Sequence, residues 1–507
     1  MATKPDRSSA IFGNDIDERT YRKACRSKRR FERKYGVDAP GSCHLRAGEV
    51  SVIGEALGVR NLAHADCPGF DIRADAAAAP VPPETKRTVA GAGGSPLVVG
   101  NIRMGFGPYR ISMAMASAAH AMGYTPYWLD LMAFPGSACT SIIAEQNELY
   151  SRGSRLSQRF ALFNKLVWEP LNSEGFRKLS YNASDQKVSE LMTAPFSDLP
   201  RDVPFVGTHA WPSQAAVHAG LSQVVNAIPD NWPMALHLAE GAVHTVQTPS
   251  SFMGYKMLRG MDKKRVLKPM PKGSLFCTGH YIDHELVSNI EADCDRRRRR
   301  IGQGLPMRYL LSVGGAGAQQ DLFVSIISHL LPFIEAGSAT LMVNVGDHRN
   351  VWEALVEAVP ALRDATLHFD DFAETRRFST AALDGPMEGV HAFCDDDIFS
   401  AVYSTNLLMR CCDILVTKPS ELAYYPVPKL MIKRVGGHEA WGAIRAAELG
   451  DGTYEMQTAP EISAMIDLFQ AEPELVEQMC FNIECEKARG TYDGAYRVIE
   501  LATKPRE

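Results

Sequence analysis

No run in this 507-residue chain is long and apolar enough to cross a bilayer, and its first residues lack the charged-then-apolar order of a secretory signal. The eleven cysteines are scattered, odd in number and never spaced C-x-x-C. That pattern supports neither a disulfide framework nor a structural zinc, and it predicts reduced thiols in a cytoplasmic protein, with Cys411 and Cys412 as core residues on a helix. Neither sign of charge dominates. A net charge of −5 gives no case for bulk nucleic-acid binding. The dinucleotide fingerprint G-x-G-x-x-G is missing too: Gly314–Gln319 does not fit it, and only Glu335 loosely matches its acidic partner about twenty positions on, which disfavours an NAD-dependent dehydrogenase.

Hydrophobic and charged contents of 45% and 22% are those of an ordinary globular enzyme, and the length calls for more than one core. Three segments are expected. Residues 1–94 form a basic extension and linker: Tyr21–Lys34 carries eight basic residues and one acidic, and Ala76–Gly94 is rich in Ala, Pro and Gly. A basic run recurs at Arg296–Arg300. Both basic runs read as solvated surface, or as contacts with a polyanion such as anionic lipid.

Residues 95–300 and 301–507 each alternate apolar strand-like runs with amphipathic stretches. The first set lies at Leu97–Ile102, Thr125–Leu129, Val203–Val206, Gln223–Ile228, Val243–Gln247 and Ser274–Cys277. The second lies at Tyr309–Val313, Thr340–Val345, Thr366–Phe369, Ile414–Thr417 and Lys429–Ile432. A long helix is expected over much of Glu145–Trp168, and terminal helices close the chain. The pattern predicts an α/β protein of two tandem Rossmann-like, doubly wound domains, with a ligand cleft between the carboxyl edges of their sheets.

The glycine-rich turn Gly314-Gly315-Ala316-Gly317-Ala318-Gln319-Gln320 joins a strand to a helix. Free N–H groups and the positive helix end there suit a phosphate, although such turns also serve plain close packing. Thr417-Lys418-Pro419-Ser420-Glu421 and Gly436-Gly437-His438-Glu439 are two more strand-to-helix turns in the same set. In one parallel sheet all three fall on one edge, forming a floor of helix N-termini with carboxylates placed for ribose hydroxyls. Taken singly, Ser420 is equally a helix cap, Lys418 a solvated turn residue and His438 a surface histidine.

The string Ser420-Glu421-Leu422-Ala423-Tyr424-Tyr425-Pro426-Val427-Pro428, followed by Gly437-His438-Glu439-Ala440, resembles the donor-binding region of GT-B glycosyltransferases. It is most similar to the branch holding monogalactosyldiacylglycerol synthase, other diacylglycerol glycosyltransferases and the lipid II N-acetylglucosaminyltransferase. The resemblance runs from about residue 96 to 480. It implies inverting, metal-independent sugar transfer from a nucleotide-diphosphate sugar, with no cofactor beyond that co-substrate. Gly314, Gly315, Gly317 and Gln319 would line the diphosphate, with Lys418 beside them. Ser420 would cap its helix next to the phosphate, Glu421 would hold ribose, and Gly437, His438 and Glu439 would contact phosphate or sugar.

On the acceptor side, Gly105, Gly107, Tyr109 and Arg110 stand where that branch carries a glycine loop followed by histidine. Here the histidine is absent, and tyrosine, with an ordinary pKa near 10, is a poor base. His209, at a first-domain strand end, is the replacement candidate for the general base, with His237 and His244 behind it. A lone histidine at a strand end is more often a structural hydrogen-bonder. Asp395–Asp397 reads as a helix start. The acceptor is undefined: small molecule, glycan or lipid. The lipid case would bring peripheral contact with the inner face of an anionic membrane through Arg22–Lys34 and the apolar cluster Trp128–Pro135. A nucleotide-sugar epimerase or hydrolase of the same fold would use the same donor site, and a non-catalytic nucleotide-binding scaffold would account for the missing histidine.

Overall fold

The structure is a computed structural model that describes residues 6–504 apart from 40, 51, 80–88, 90–91, 104, 160–174 and 315–318, with the backbone alone at 55, 150–151, 153–159 and 438. Gly315 and Gly317, most of the linker and the end of the long helix after Arg159 therefore lie outside the described residues.

A short hairpin, β1 (Ala10–Ile11) with β2 (Asn14–Asp15), opens the chain. The first sheet then contains β3 (His44–Glu49), β4 (Arg60–Ala65), β5 (Pro96–Asn101), β6 (Thr125–Asp130), β7 (Phe205–Gly207), β8 (Val224–Ala227), β9 (Val243–Val246) and β10 (Leu275–Cys277). Its order is β10-β9-β8-β7-β5-β6-β4-β3, parallel throughout except for the antiparallel edge strand β3. The second sheet contains β11 (Met307–Ser312), β12 (Ala339–Asn344), β13 (Thr366–Phe369), β14 (Val390–Cys394), β15 (Ile414–Thr417) and β16 (Lys429–Met431), in the order β13-β14-β12-β11-β15-β16, all parallel. The central strands are apolar because helices cover both faces: Leu97, Val98 and Val99, like Tyr309, Leu310 and Leu311, are fully buried. The two Rossmann-like domains expected from the alternation are present.

Strand order reverses between β5 and β7 in the first sheet and between β11 and β15 in the second. At such points the connecting helices leave to opposite faces and open a crevice at the carboxyl edge. The first crevice is bordered by helix Gly107–Ala121 and by His209, and the second by Gly314 and Lys418.

The expected extension is largely built into the first domain. Residues 44–65 supply the last two strands at one side of its sheet, β4 and the edge strand β3. The basic helix Glu18–Tyr35 buries Ala24 and Phe31 and is tied down by Lys28 to Glu190 (2.7 Å) and by Arg30 and Lys34 to Glu145 (2.5 and 2.8 Å). The cluster Trp128–Pro135 is mostly core: Trp128 and Phe134 are 1% exposed, and only Pro135 is exposed, with Met132 and Ala133 partly so. Among the described residues, no helix is long and apolar enough to cross a membrane.

Helix His284–Gly302 joins the domains, capped by Asp283. The Arg296–Arg300 run on it is partly built into the core, and its surface members Arg296, Arg298 and Arg299 pair with Asp384 or Glu484. Arg297 is buried and donates to the carbonyls of Cys412 (2.9 Å) and Met409 (2.7 Å), and Arg300 pairs with buried Asp413 at 2.6 Å. The last helix, Gly494–Thr503, crosses back to pack on helix Gly107–Ala121 of the first domain, Gly494 N–H donating to the His280 carbonyl at 3.0 Å. One apolar cluster accordingly runs through both domains, from Val99 and Met113 to Leu310 and Leu415.

Candidate functional site

On the second sheet, the three turns meet. A Cβ on Gly314 would lie 2.9 Å from Lys418 Cε, so the lysine chain crosses the glycine backbone directly. Lys418 forms an ion pair with Glu439, whose other oxygen accepts the N–H groups of Val435 (2.8 Å) and Gly436 (3.2 Å). Gln319 adopts the left-handed conformation (φ 73°) ahead of helix Gln320–Glu335, and its side-chain amide reaches the Lys433 carbonyl at 2.5 Å. A non-glycine residue in that region is uncommon and marks a sharp reversal of the chain. Glu439 is thus occupied by the floor of the site, whereas Gly437 sits in its short helical turn. Of His438 only the backbone is described.

Ser420 precedes the short 3-10 helix Glu421–Tyr424 but makes no capping hydrogen bond, contrary to the role expected for it. Arg434, a neighbouring cation, is held by Glu455 at 2.6 Å, and Lys433 is exposed.

Glu421 reaches across the cleft. A Cβ at Gly107 would run into its Oε1, so the carboxylate abuts the N-terminal turn of the first-domain helix. The positive end of that helix favours a carboxylate there, and the bare glycine backbone admits the close approach, so a side chain at 107 would have to push the flexible carboxylate aside. Beside it, Arg103 pairs with Asp347 at 2.8 Å, and the Phe106 ring packs on Gly346 and His348. The residues expected to face an acceptor mostly serve this domain contact. Arg110 is buried, donating to Asn406 Oδ1 (2.6 Å) and lying over the Tyr425 ring at 5.8 Å; Asn406 in turn donates to Asp283 at 3.0 Å. Tyr109 is buried and donates to Asp130 at 2.7 Å, and burial drives its hydroxyl pKa up, which removes it as a base. Gly105 is exposed, in the left-handed region at φ 73°.

His209 caps helix Ala210–Ala219, its Nδ1 accepting the Trp211 N–H at 3.2 Å. Burial, with His237 nearby, pushes its pKa down to about 3. A neutral ring whose Nδ1 accepts must carry its proton on Nε2, so His209 presents a donor rather than a base. His237, also buried, contacts Asp230 through Nε2 at 2.9 Å. The carboxylate only accepts, so in the neutral ring the lone pair is on Nδ1, the base-competent tautomer. The sequence signal for this pair is the strand-end position of Asp230, just past β8. His244 is spent, its Nε2 accepting the Ala239 N–H at 3.0 Å. Asp397 caps helix Ile398–Cys411 as a helix start should, accepting the Ser400 N–H at 2.9 Å. The loop after Asp230 also touches the second domain, where Trp232 stacks on Trp441 with ring centroids 5.8 Å apart.

Among the described residues, no three His, Cys, Asp or Glu side chains gather to hold a metal ion. A search of curated protein sequences finds no match. Solved structures that align include a UDP-GlcNAc 2-epimerase from Neisseria meningitidis bound to UDP-GlcNAc, at 12% identity over 81% of this chain and 100% of that one, TM-score 0.45. An alpha,alpha-trehalose 6-phosphate synthase from Burkholderia multivorans aligns at 11% identity over 81% of this chain and 98% of that one, TM-score 0.40. Scores this low give no residue-to-residue equivalence. Residues 10–257 match a family model described as a domain of unknown function (DUF6937), and residues 270–503 match a second, also a domain of unknown function (DUF6938).

Proposed function

We propose that the chain is a glycosyltransferase that moves a sugar from a nucleotide-diphosphate sugar to an acceptor held against the first domain. The observation that carries this reading is the convergence of the three second-domain turns at a strand-order reversal, with Gly314, Gln319 and Lys418 in one floor. A helix N-terminus beside a lysine suits a diphosphate leaving group, stabilising its charge as the sugar departs. Glu421 lies beside this floor, within reach of ribose once it leaves the Gly107 backbone. His237, held by Asp230, is the candidate base: its Nδ1 is buried without a hydrogen-bond partner among the described residues, so the acceptor hydroxyl reaches it only once that atom is uncovered, and His209 donates a hydrogen bond from Nε2.

The test is a thermal-shift screen with UDP, GDP, dTDP, ADP and their common sugars, followed by product analysis with a labelled donor. A nucleotide at about 100 times its Kd should stabilise the fold by roughly 2.7 kcal/mol, and Lys418→Ala should weaken it about tenfold. A midpoint that no nucleotide moves rejects the reading. Label recovered as an epimer or a free sugar, without transfer to any acceptor, replaces transferase by epimerase or hydrolase. His237→Gln should abolish turnover, whereas His209→Gln, which keeps a donor, should retain part of it.

A further inference from the structure

The most exposed large apolar side chain in the described structure is not at the cleft. Val266 stands fully in solvent (102% exposed), and nearby in the chain Met257 (65%) and Met253 (59%) are exposed as well. All three belong to helix Pro249–Lys256 and the loop that follows it. The ends of that loop are pinned together: Met270 N–H donates to the Lys256 carbonyl at 2.9 Å, and Lys256 Nζ donates back to the Met270 carbonyl at 2.5 Å. Residues 257–269 therefore form an Ω-loop, a compact excursion with a closed neck. Its returning limb is held near the neck, since Asn14 accepts the Lys268 N–H (2.8 Å) and donates to the Lys268 carbonyl (3.0 Å). A rigid loop that exposes valine and methionine loses free energy in water unless something covers them.

The surrounding charge identifies the cover. Arg259, Lys263, Lys264 and Lys268 are exposed on the same loop, and Asp262 is its one acidic residue. Protruding aliphatic side chains ringed by cations match the boundary of an anionic bilayer, where methylene groups enter the acyl region and lysines remain among the headgroups. A nucleic acid would use the cations but gain nothing from the aliphatic tip. The loop also borders the cleft: Arg177 donates to the Arg259 carbonyl at 3.0 Å and lies over Trp232, which stacks on Trp441 of the second domain. We infer that the Ω-loop 257–269 docks the protein on anionic phospholipid bilayers, with Val266 and Met257 inserting and the Lys263–Lys264 pair meeting the headgroups. The two segments to which the sequence pointed for such contact are the docked basic helix and a buried strand. This surface is a third one, and it stands whether or not the nucleotide-sugar reading does.

The test is sedimentation of the full chain with phosphatidylcholine vesicles, with and without phosphatidylserine. The wild type should bind only the phosphatidylserine vesicles, and more weakly as salt rises. Lys263→Glu/Lys264→Glu and, separately, Val266→Asp should each reduce partitioning about tenfold or more, with unchanged melting temperature because these side chains are exposed. Arg26→Glu/Arg29→Glu on the basic helix makes the same charge change elsewhere and should cost no more than about twofold. Failure of the wild type to sediment at low salt overturns the inference. So does equal loss in the helix variant, or binding to a single-stranded oligonucleotide at the same salt that Val266→Asp leaves intact.

Discussion

The carboxyl edges of the two sheets are built from the same strand-to-helix turns but are organised by opposite means. On the first, polar groups are buried and spent on one another: His209 on its own helix, Tyr109 on Asp130, and Arg110 on Asn406 across the domain boundary. On the second, charges and backbone groups meet with partial access to solvent, as with Lys418 and Glu439 at side-chain exposures of 20% and 9%. Burial fixes geometry and displaces pKa values, whereas on the second edge a guest anion must compete with Glu439 for Lys418 and for the Val435 and Gly436 N–H groups. The same fold thus yields one edge that locks and one that receives.

The comparison breaks most visibly if the first edge can be cut without cost. Arg110→Ala removes a buried guanidinium and leaves Asn406 Oδ1 without its donor, so it should destabilise the chain by about 2–4 kcal/mol in urea unfolding. A loss below about 1 kcal/mol would mean that water replaces the arginine and that the interface is not sealed. Gly107→Ala probes the one place where the edges touch. The new methyl meets Glu421 Oε1, and the cost should be about 1–3 kcal/mol. In a Glu421→Ala background the same change should cost far less, a coupling that a double-mutant cycle reads directly. Additive losses would show that Glu421 does not rest on the Gly107 backbone.

Acid sharpens the contrast. His209 has an ordinary pKa of 6.5 that the fold lowers to about 3. Between those values the unfolded chain binds a proton that the folded one refuses. Its contribution is therefore present above pH 6.5 and lost as pH falls, with a limiting slope of about 1.4 kcal/mol per pH unit. Asp283 runs the other way: burial and the nearby Glu285 charge raise its carboxyl from 3.8 to about 7, so its contribution is present below pH 4 and lost as pH rises to 7. The two oppose each other from about pH 4 to 6.5. His209→Gln should flatten the acid limb of the stability curve, and Asp283→Asn should flatten the limb approaching neutrality. Neither effect should appear in Lys418→Ala, where the edge is open.

The strands at the centre of both sheets were legible because burial on two faces writes a continuous apolar run, as in Leu97–Val99 and Leu310–Val313. Strands β3 and β14 were not: the antiparallel edge strand β3 reads His-Leu-Arg-Ala-Gly-Glu, where solvent erases the signal, and in the inner strand β14 His391 interrupts a run of only five residues. The meeting of the three turns was legible for a topological reason, since every strand-to-helix turn of a parallel sheet falls on one edge. Which side chains remain available there was not. That depends on partners hundreds of residues away, such as Arg110 with Asn406 or Gly107 with Glu421, and no local pattern encodes them. His209 shows the limit well. Its position at a strand end could be read, but the Trp211 N–H on its Nδ1 and its burial make it a donor, and both arise from packing.

The smallest expected effect separates the edges most finely. Ser420 precedes a helical turn on the open edge and makes no capping bond. If it were a structural cap, Ser420→Ala would cost about 1 kcal/mol. With no bond to lose, the variant should unfold within about 0.5 kcal/mol of the wild type. Its hydroxyl then has one remaining use, as a hydrogen-bond donor to a phosphate oxygen of the bound nucleotide, and its removal should weaken nucleotide affinity severalfold. Calorimetric titration of wild type and variant with the nucleotide that gives the largest thermal shift measures both quantities on the same samples. Unchanged stability with weakened binding assigns Ser420 to the guest. Weakened stability with unchanged binding would return it to the helix, and the open edge would lose one of its reasons for being open.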